Sequence, residues 1–368
     1  MATAGCGSVS DSVRGYPLRA FVICLIAYTT AQMDLALFGY AVPAIRGEFG
    51  LTLSEVMAIV SAAFLLGGAL LVVLGWLADR VGRLPLFQFS LLGSSFLVAL
   101  ISIAPGVATL TALRGASIAV GGLSYPITGA IITEEMPARL RGLFMGLLQI
   151  GYPLGWALAS LWSMWLLTEY GWRQVFWGGL VSLPMGWVVR RYLREPPRSV
   201  AARSTEPPPR FSDLFATGIR ERAITLFIAQ FLFVWAYAAS IFLFPSFLRE
   251  VRALDAFNFS LLIGAGNAIG VLGYGLAAWI GERVWTRRNT VVLWTLLGAF
   301  LFQALVWVPT TFGQILFVYA LMSMFFYGSA AVKFAYLAEV FPTRIRALAM
   351  ACCGSLAVTL GSAAGPYT

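Results

Sequence analysis

Histidine is absent from this 368-residue chain, lysine occurs once, and only 11% of the residues are charged. Without histidine there are no His-based nucleophilic triads, no His-containing zinc motifs and no imidazole proton relays. The four cysteines are Cys6, Cys24, Cys352 and Cys353. They stand in no metal-ligand spacing and give no disulfide framework; the last three read as small apolar residues within helices. No other constellation of catalytic residues appears, so an enzyme is not expected, and no cofactor is expected either. The scarcity of charge excludes more. A soluble domain usually carries about 25% charged residues, whereas this chain is 60% hydrophobic. It cannot hide that much apolar surface within itself, so a lipid bilayer must cover it.

What the chain has instead is long apolar runs. Eleven stand out, at roughly 20–43, 55–75, 85–104, 107–132, 142–166, 173–192, 223–247, 257–280, 290–308, 312–337 and 347–368. Each is about the length a membrane-spanning helix needs. Arg14 and Arg19 precede the first run as they would in a signal peptide. That run is too long for a cleaved signal and further spans follow, so it reads as a retained anchor. Residues 1–16 read as a disordered tail, and the Pro- and Arg-rich stretch 193–222 reads as a linker between two bundles, 17–192 and 223–368.

The arginines orient the spans. With the N-terminus in the cytoplasm, nineteen arginines fall on the inner side and four, Arg46, Arg173, Arg249 and Arg252, on the outer. Arg114 and Lys333 lie within apolar runs. Such a bias fixes topology and accounts for the net charge of +9 without any nucleic-acid partner.

Two patterns carry a family signal. The stretch from Gly75 to Arg83 reads Gly-Trp-Leu-Ala-Asp-Arg-Val-Gly-Arg and is expected to form a tight turn at the membrane surface, bracketed by Gly75 and Gly82. The run Glu134-Glu135-Met136-Pro137-Ala138-Arg139-Leu140-Arg141 repeats as Glu339-Val340-Phe341-Pro342-Thr343-Arg344-Ile345-Arg346, and Glu, Pro, Arg and Arg match at an offset of 205 (339 minus 134). The first stretch resembles the loop between helices two and three of the major facilitator superfamily, G-x-x-x-D-R-x-G-R-R, with Leu84 in the last place. The repeat resembles the parallel halves of such transporters. The resemblance implies an all-α polytopic membrane protein of two six-helix bundles. The second bundle is expected to lack its last helix, because the counterpart of Arg190 would fall near residue 395 (190 plus 205). Gly75, Asp79, Arg80, Gly82 and Arg83, with the degraded second-half equivalents Glu282 and Arg283, would then be gating residues.

Met33-Asp34-Leu35-Ala36-Leu37-Phe38-Gly39-Tyr40 resembles the first helix of metabolite–proton symporters, and the aromatic-acid–proton branch has D-G-x-D there. Here those places read Ala31-Gln32-Met33-Asp34, so the second acid is kept and the first is not. Arg194-Glu195-Pro196-Pro197-Arg198 resembles a run after helix six of sugar and sialate porters. Charges at bilayer depth normally face a cavity or a partner. Asp34 is either the proton-carrying carboxylate or the structural partner of an arginine. Arg114, in an R-x-x-x-x-x-x-G pattern ending at Gly121, is either a proton-coupling and substrate residue, as the resemblance implies, or a salt-bridging or snorkelling side chain. Lys333 either snorkels to the cytoplasmic surface or pairs with a substrate carboxylate. Gln32, Gln149, Gln230 and Asn267 are candidate polar substrate contacts. Gly151-Tyr152-Pro153-Leu154-Gly155 is expected to loosen its helix. The resulting expectation is a monomeric transporter of the bacterial inner membrane that moves a small organic anion by proton symport, with the proton as coupling ion. A sugar-type or drug-efflux carrier and a non-functional remnant are the alternatives.

The arginine bias makes a topological prediction. In a chain lacking native cysteines, Ser204→Cys is expected to react with an impermeant thiol reagent only after the cells are permeabilised; labelling of intact cells would invert the topology.

Overall fold

The computed structural model describes residues 15–365 apart from 82, 138–139, 196–210, 217, 242–243 and 342–348. The expected tail before residue 15, most of the linker and much of the second copy of the repeat lie outside the described residues. The elements are α1 (Tyr16–Phe49), α2 (Leu53–Val81), α3 (Arg83–Ile101), α4 (Val107–Gly122), α5 (Ser124–Glu135), α6 (Arg141–Leu148), α7 (Gly151–Glu169), α8 (Trp172–Val175), α9 (Leu183–Tyr192), α10 (Arg220–Ser240), α11 (Phe244–Glu250), α12 (Ala256–Arg283), α13 (Arg287–Trp307), α14 (Phe312–Val340) and α15 (Ala357–Ala364). Three pairs, α4–α5, α6–α7 and α10–α11, each make one long span. Among the described residues nine spans are long and apolar enough to cross a membrane. The two remaining apolar runs are built from shorter pieces. One is α8, a 3₁₀ stretch at Phe176–Ser182, and α9. The other is a π-helical stretch at Met350–Leu356 followed by α15.

Two expectations are corrected. The stretch Gly75–Arg83 is not an extended turn. Helix α2 runs on through Val81 and α3 opens at Arg83, so residue 82 alone separates them. Leu77, Ala78 and Arg80 are good helix formers, and neither proline nor glycine interrupts residues 76–81. The break in the fifth span lies at Gln149 and Ile150, just before the predicted glycine-bracketed segment, which is itself helical.

Several helix ends are closed by local hydrogen bonds that satisfy backbone groups the helix itself leaves free. Gly50, in the left-handed region at φ 62°, ends α1. Thr52 and Glu55 cap the start of α2 reciprocally, Thr52 N donating to Glu55 Oε2 at 2.8 Å. Asp255 and Thr286 cap α12 and α13, and Thr311 with Gln314 forms a capping box on α14.

Large apolar side chains such as Leu65, Phe96, Trp165, Phe300 and Phe317 point outward, while Ser61, Ser90, Ser95, Ser163, Ser260 and Ser323 are buried between helices. This is the packing expected in lipid, where close approach of backbones through small residues holds helices together. Helix α1 packs on α7 and α2 on α4 in the first bundle; α12 and α13 pack on α14 in the second. The bundles meet where α7 crosses α12, where α2 crosses α15, and where α6 touches α12 and α14. The α1–α7 crossing depends on Gly155: a Cβ there would lie 2.6 Å from both the Thr29 carbonyl oxygen and Gln32 Cβ, and 2.7 Å from Met33 N. Backbone on the facing helix cannot yield as a side chain can. Gly155→Ala is therefore expected to destabilise the protein by about 1–3 kcal/mol, read as a lowered unfolding temperature in detergent, and Gly155→Val to abolish monodisperse protein.

Candidate functional site

The polar residues picked out in the apolar runs are buried or half-buried, and they fall into two separate groups. The first lies inside the first bundle. Asp34, 3% exposed, accepts a hydrogen bond at Oδ2 from Ser182 Oγ at 3.0 Å, and its Oδ1 has no hydrogen-bond partner among the described residues. Arg114, 2% exposed, does not reach that carboxylate. It donates instead to the α1 backbone, from Nη2 to the Leu35 carbonyl at 2.6 Å and from Nη1 to the Asp34 carbonyl at 3.4 Å, and lies over the Phe38 ring at 4.9 Å. Ser182, which the sequence did not single out, belongs to the 3₁₀ segment that α1 and α3 pack against.

The second group lines the seam between the bundles. Tyr152 on α7 donates to, or accepts from, the Tyr237 hydroxyl on α10 at 2.6 Å. The two rings stand 6.1 Å apart, edge to face, and Tyr327 on α14 lies 5.7 Å from Tyr152. Trp156 packs edge-on against Tyr237, and Phe326 stacks on Phe233 at 4.6 Å. Further polar groups come from these and the neighbouring helices. Gln149 Nε2 donates to the Tyr125 hydroxyl at 3.1 Å, and Asn267 Nδ2 to the Tyr319 hydroxyl at 3.4 Å. Gln32 Oε1, Asn267 Oδ1, the Tyr327 hydroxyl and Lys333 Nζ are buried with no hydrogen-bond partner among the described residues. Gln230 is half-buried on α10. The structure thus places Gln149, Asn267 and Lys333 with the seam and keeps Asp34 and Arg114 out of it. Tyrosines at both sides of the seam were weak signals in the sequence, because aromatic residues in membrane helices mostly pack.

The ends of the molecule are latched. At the arginine-rich end Arg83 forms an ion pair with Glu134 at the end of α5. Glu195 brings its carboxylate back to the first residues of α3, accepting from Arg83 N and Leu84 N, each at 2.9 Å. A carboxylate there satisfies two orphan amides and meets the positive end of the helix dipole. Gly75, Asp79 and Arg80 are helical and Glu282 lies in α12, but their side chains, like all of Gly82, lie outside the described residues. Arg283 is exposed at the end of α12. At the opposite end Arg46 of α1 pairs with Glu250 of α11, joining the two bundles. Beside them a cavity of about 520 Å³ is lined by Pro43, Gly47, Trp172, Arg249 and Phe259 among others. Glu48 accepts from Trp172 Nε1 at 2.6 Å and pairs with Arg173. Nothing in the sequence marked Arg46 and Glu250 as partners, since they lie 204 positions apart in opposite bundles.

Two helical bundles, joined by a single linker and meeting around a partly unsatisfied polar and aromatic seam with ion-paired ends, define a membrane carrier rather than an enzyme. The family model of the Major Facilitator Superfamily matches residues 24–366, and the chain belongs to that superfamily. The cis,cis-muconate transport protein of Acinetobacter baylyi is 26% identical, over 95% of this chain and 86% of that protein. The gentisate transporter of Corynebacterium glutamicum is 25% identical, over 92% of this chain and 77% of that protein. The fold is similar to a bacterial homolog of the human lysosomal transporter Spinster in an inward-facing, unoccupied conformation, with TM-score 0.72 and 17% identity, covering 96% of this chain and 82% of that one. The protein is a multi-pass membrane transporter.

The Glu195 contact yields a prediction. Glu195→Ala is expected to cost about 1 kcal/mol, the usual worth of an N-terminal helix cap, read by thermal unfolding. Glu195→Gln, which keeps acceptor capacity but not the charge, is expected to recover part of that loss.

Proposed function

We propose that this transporter moves a small organic anion, a carboxylate metabolite, across the bacterial inner membrane together with a proton, by alternating access between the two bundles. The observation that carries this reading is the seam. Its polar atoms, Gln32 Oε1, Asn267 Oδ1 and the Tyr327 hydroxyl, are buried without partners among the described residues, and buried polar groups are ordinarily satisfied. A polar guest between the bundles would satisfy them. Relatives named as transporters of muconate and gentisate, both organic acids, support the anion.

Rocking would exchange one set of end contacts for another. The Arg46–Glu250 pair would open when the arginine-poor end opens. The Arg83–Glu134 pair and the Glu195 cap, with Asp79 and Arg80 on the adjoining end of α2, would change when the other end opens. Arginine bias puts the N-terminus and the arginine-rich end in the cytoplasm. Proton coupling falls to Asp34. One of its oxygens is held by Ser182 and the other has no donor among the described residues, an arrangement suited to a carboxyl group that takes and releases a proton while Arg114 holds α1 in place.

Uptake tests the whole reading. In proteoliposomes the wild-type chain is expected to concentrate an organic acid against its gradient when the pH outside is lower than inside. Asp34→Asn is expected to exchange the substrate across the membrane yet fail to concentrate it. Accumulation by this variant at the wild-type level would remove Asp34 from the coupling step.

A further inference from the structure

Lys333 is the only lysine in the chain, and its side chain does not take the course a surface-seeking lysine takes. It lies seven residues before the end of α14 at the arginine-rich end. Snorkelling would carry its ammonium toward that end and into water. Instead Nζ sits over the face of Phe233, 3.0 Å from the ring centroid, and is buried without a hydrogen-bond partner among the described residues. Phe233 is thirteen residues into α10, about 20 Å from that helix's start at 1.5 Å per residue. The ammonium therefore turns back toward the membrane middle, along the direction in which helical side chains lean.

A ring face attracts a cation but leaves its charge in place, and a buried charge needs an opposite one. Among the described residues none forms an ion pair with it. On α10 the one acid is Glu221, twelve residues before Phe233. On α14 it is Glu339, six positions past Lys333 and so about 120° around the helix. Asp34 is held by Ser182 inside the other bundle. Arg114, the other cation at depth, is engaged by the Asp34 and Leu35 carbonyls. The ring under Lys333 continues into the seam: Phe233 stacks on Phe326, Phe326 and Tyr237 lie 6.2 Å apart at 22°, and Tyr237 bonds Tyr152 of the first bundle.

We propose that the Lys333 ammonium is the counter-ion of the transported carboxylate, and that the Phe233, Phe326, Tyr237 and Tyr327 rings form the wall against which a flat, conjugated body lies. One available cation beside one aromatic wall selects planar monocarboxylates. This assignment rests on the organic-anion reading above and narrows it.

Benzoate is the probe, with benzamide as its neutral isostere and cyclohexanecarboxylate as its non-planar analogue. Binding to the purified full chain is followed by tryptophan fluorescence. The wild type is expected to bind benzoate saturably, with benzamide and cyclohexanecarboxylate each at least tenfold weaker. Lys333→Gln is expected to weaken benzoate binding by about 30-fold or more, the effect of removing one partner of a buried charge pair. Lys333→Arg should stay within about tenfold of wild type, and Phe233→Leu should erase the preference over cyclohexanecarboxylate. If Lys333→Gln keeps its unfolding temperature and still binds benzoate within threefold, the lysine assignment is overturned while the organic-anion reading stands. If the wild type binds benzamide as well as benzoate, the organic-anion reading fails too. Equal binding of cyclohexanecarboxylate, or no binding of benzoate, overturns the planar-monocarboxylate class. Should Lys333→Gln not fold, the three wild-type affinities and Phe233→Leu still decide.

Discussion

Lipid cannot hydrogen-bond, and nearly every local choice in this molecule follows from that. A backbone amide or carbonyl that would find water in a soluble protein must find a partner in the chain. Some helix starts carry capping residues, as with Thr52, Thr286 and Thr311, and the start of α3 takes the carboxylate of Glu195, just past the end of the neighbouring α9. Buried serines and threonines fall back on their own helices: Ser95 Oγ donates to the Leu91 carbonyl at 2.6 Å and Thr128 Oγ1 to the Ser124 carbonyl at 2.8 Å. The same constraint makes the exceptions conspicuous. Among the described residues the unpartnered buried atoms include serine hydroxyls packed between helices, such as those of Ser61 and Ser163; the Gln32, Asn267, Tyr327 and Lys333 atoms differ in bringing amides, a phenol and an ammonium to the seam.

Arg114 shows how the constraint can mislead as well as inform. In sequence it is a charge stranded in an apolar run, and a charge at depth suggests chemistry. In the structure its two terminal nitrogens hold α1 through backbone carbonyls while the guanidinium lies over the Phe38 ring. It sits close to Asp34 in space without forming an ion pair with that carboxylate, so the two residues share a neighbourhood and not a bond.

Spans, repeat and family were legible because they are properties of composition and spacing. Eleven apolar runs reappear as nine long spans and two interrupted ones. What sequence could not supply was direction. Nothing in the order of residues says that Asp34 turns toward Ser182 rather than into the seam, or that the Lys333 stem climbs toward Phe233; those outcomes belong to side-chain torsions and helix rotation. The extent of α2 was misjudged for a related reason. A glycine, an acid and two arginines read as a loop when weighed by polarity, yet a helix that leaves the membrane needs no apolar residues to continue. The tyrosines of the seam were visible but undistinguished, because packing and binding ask for the same residue.

The Arg46–Glu250 pair has a consequence beyond closing one end. Both side chains remain partly exposed, and a solvent-exposed ion pair weakens as dissolved salt screens it. The surrounding medium thus sets part of the strength with which the two bundles hold together at this end: a dilute one tightens the contact and a saline one loosens it.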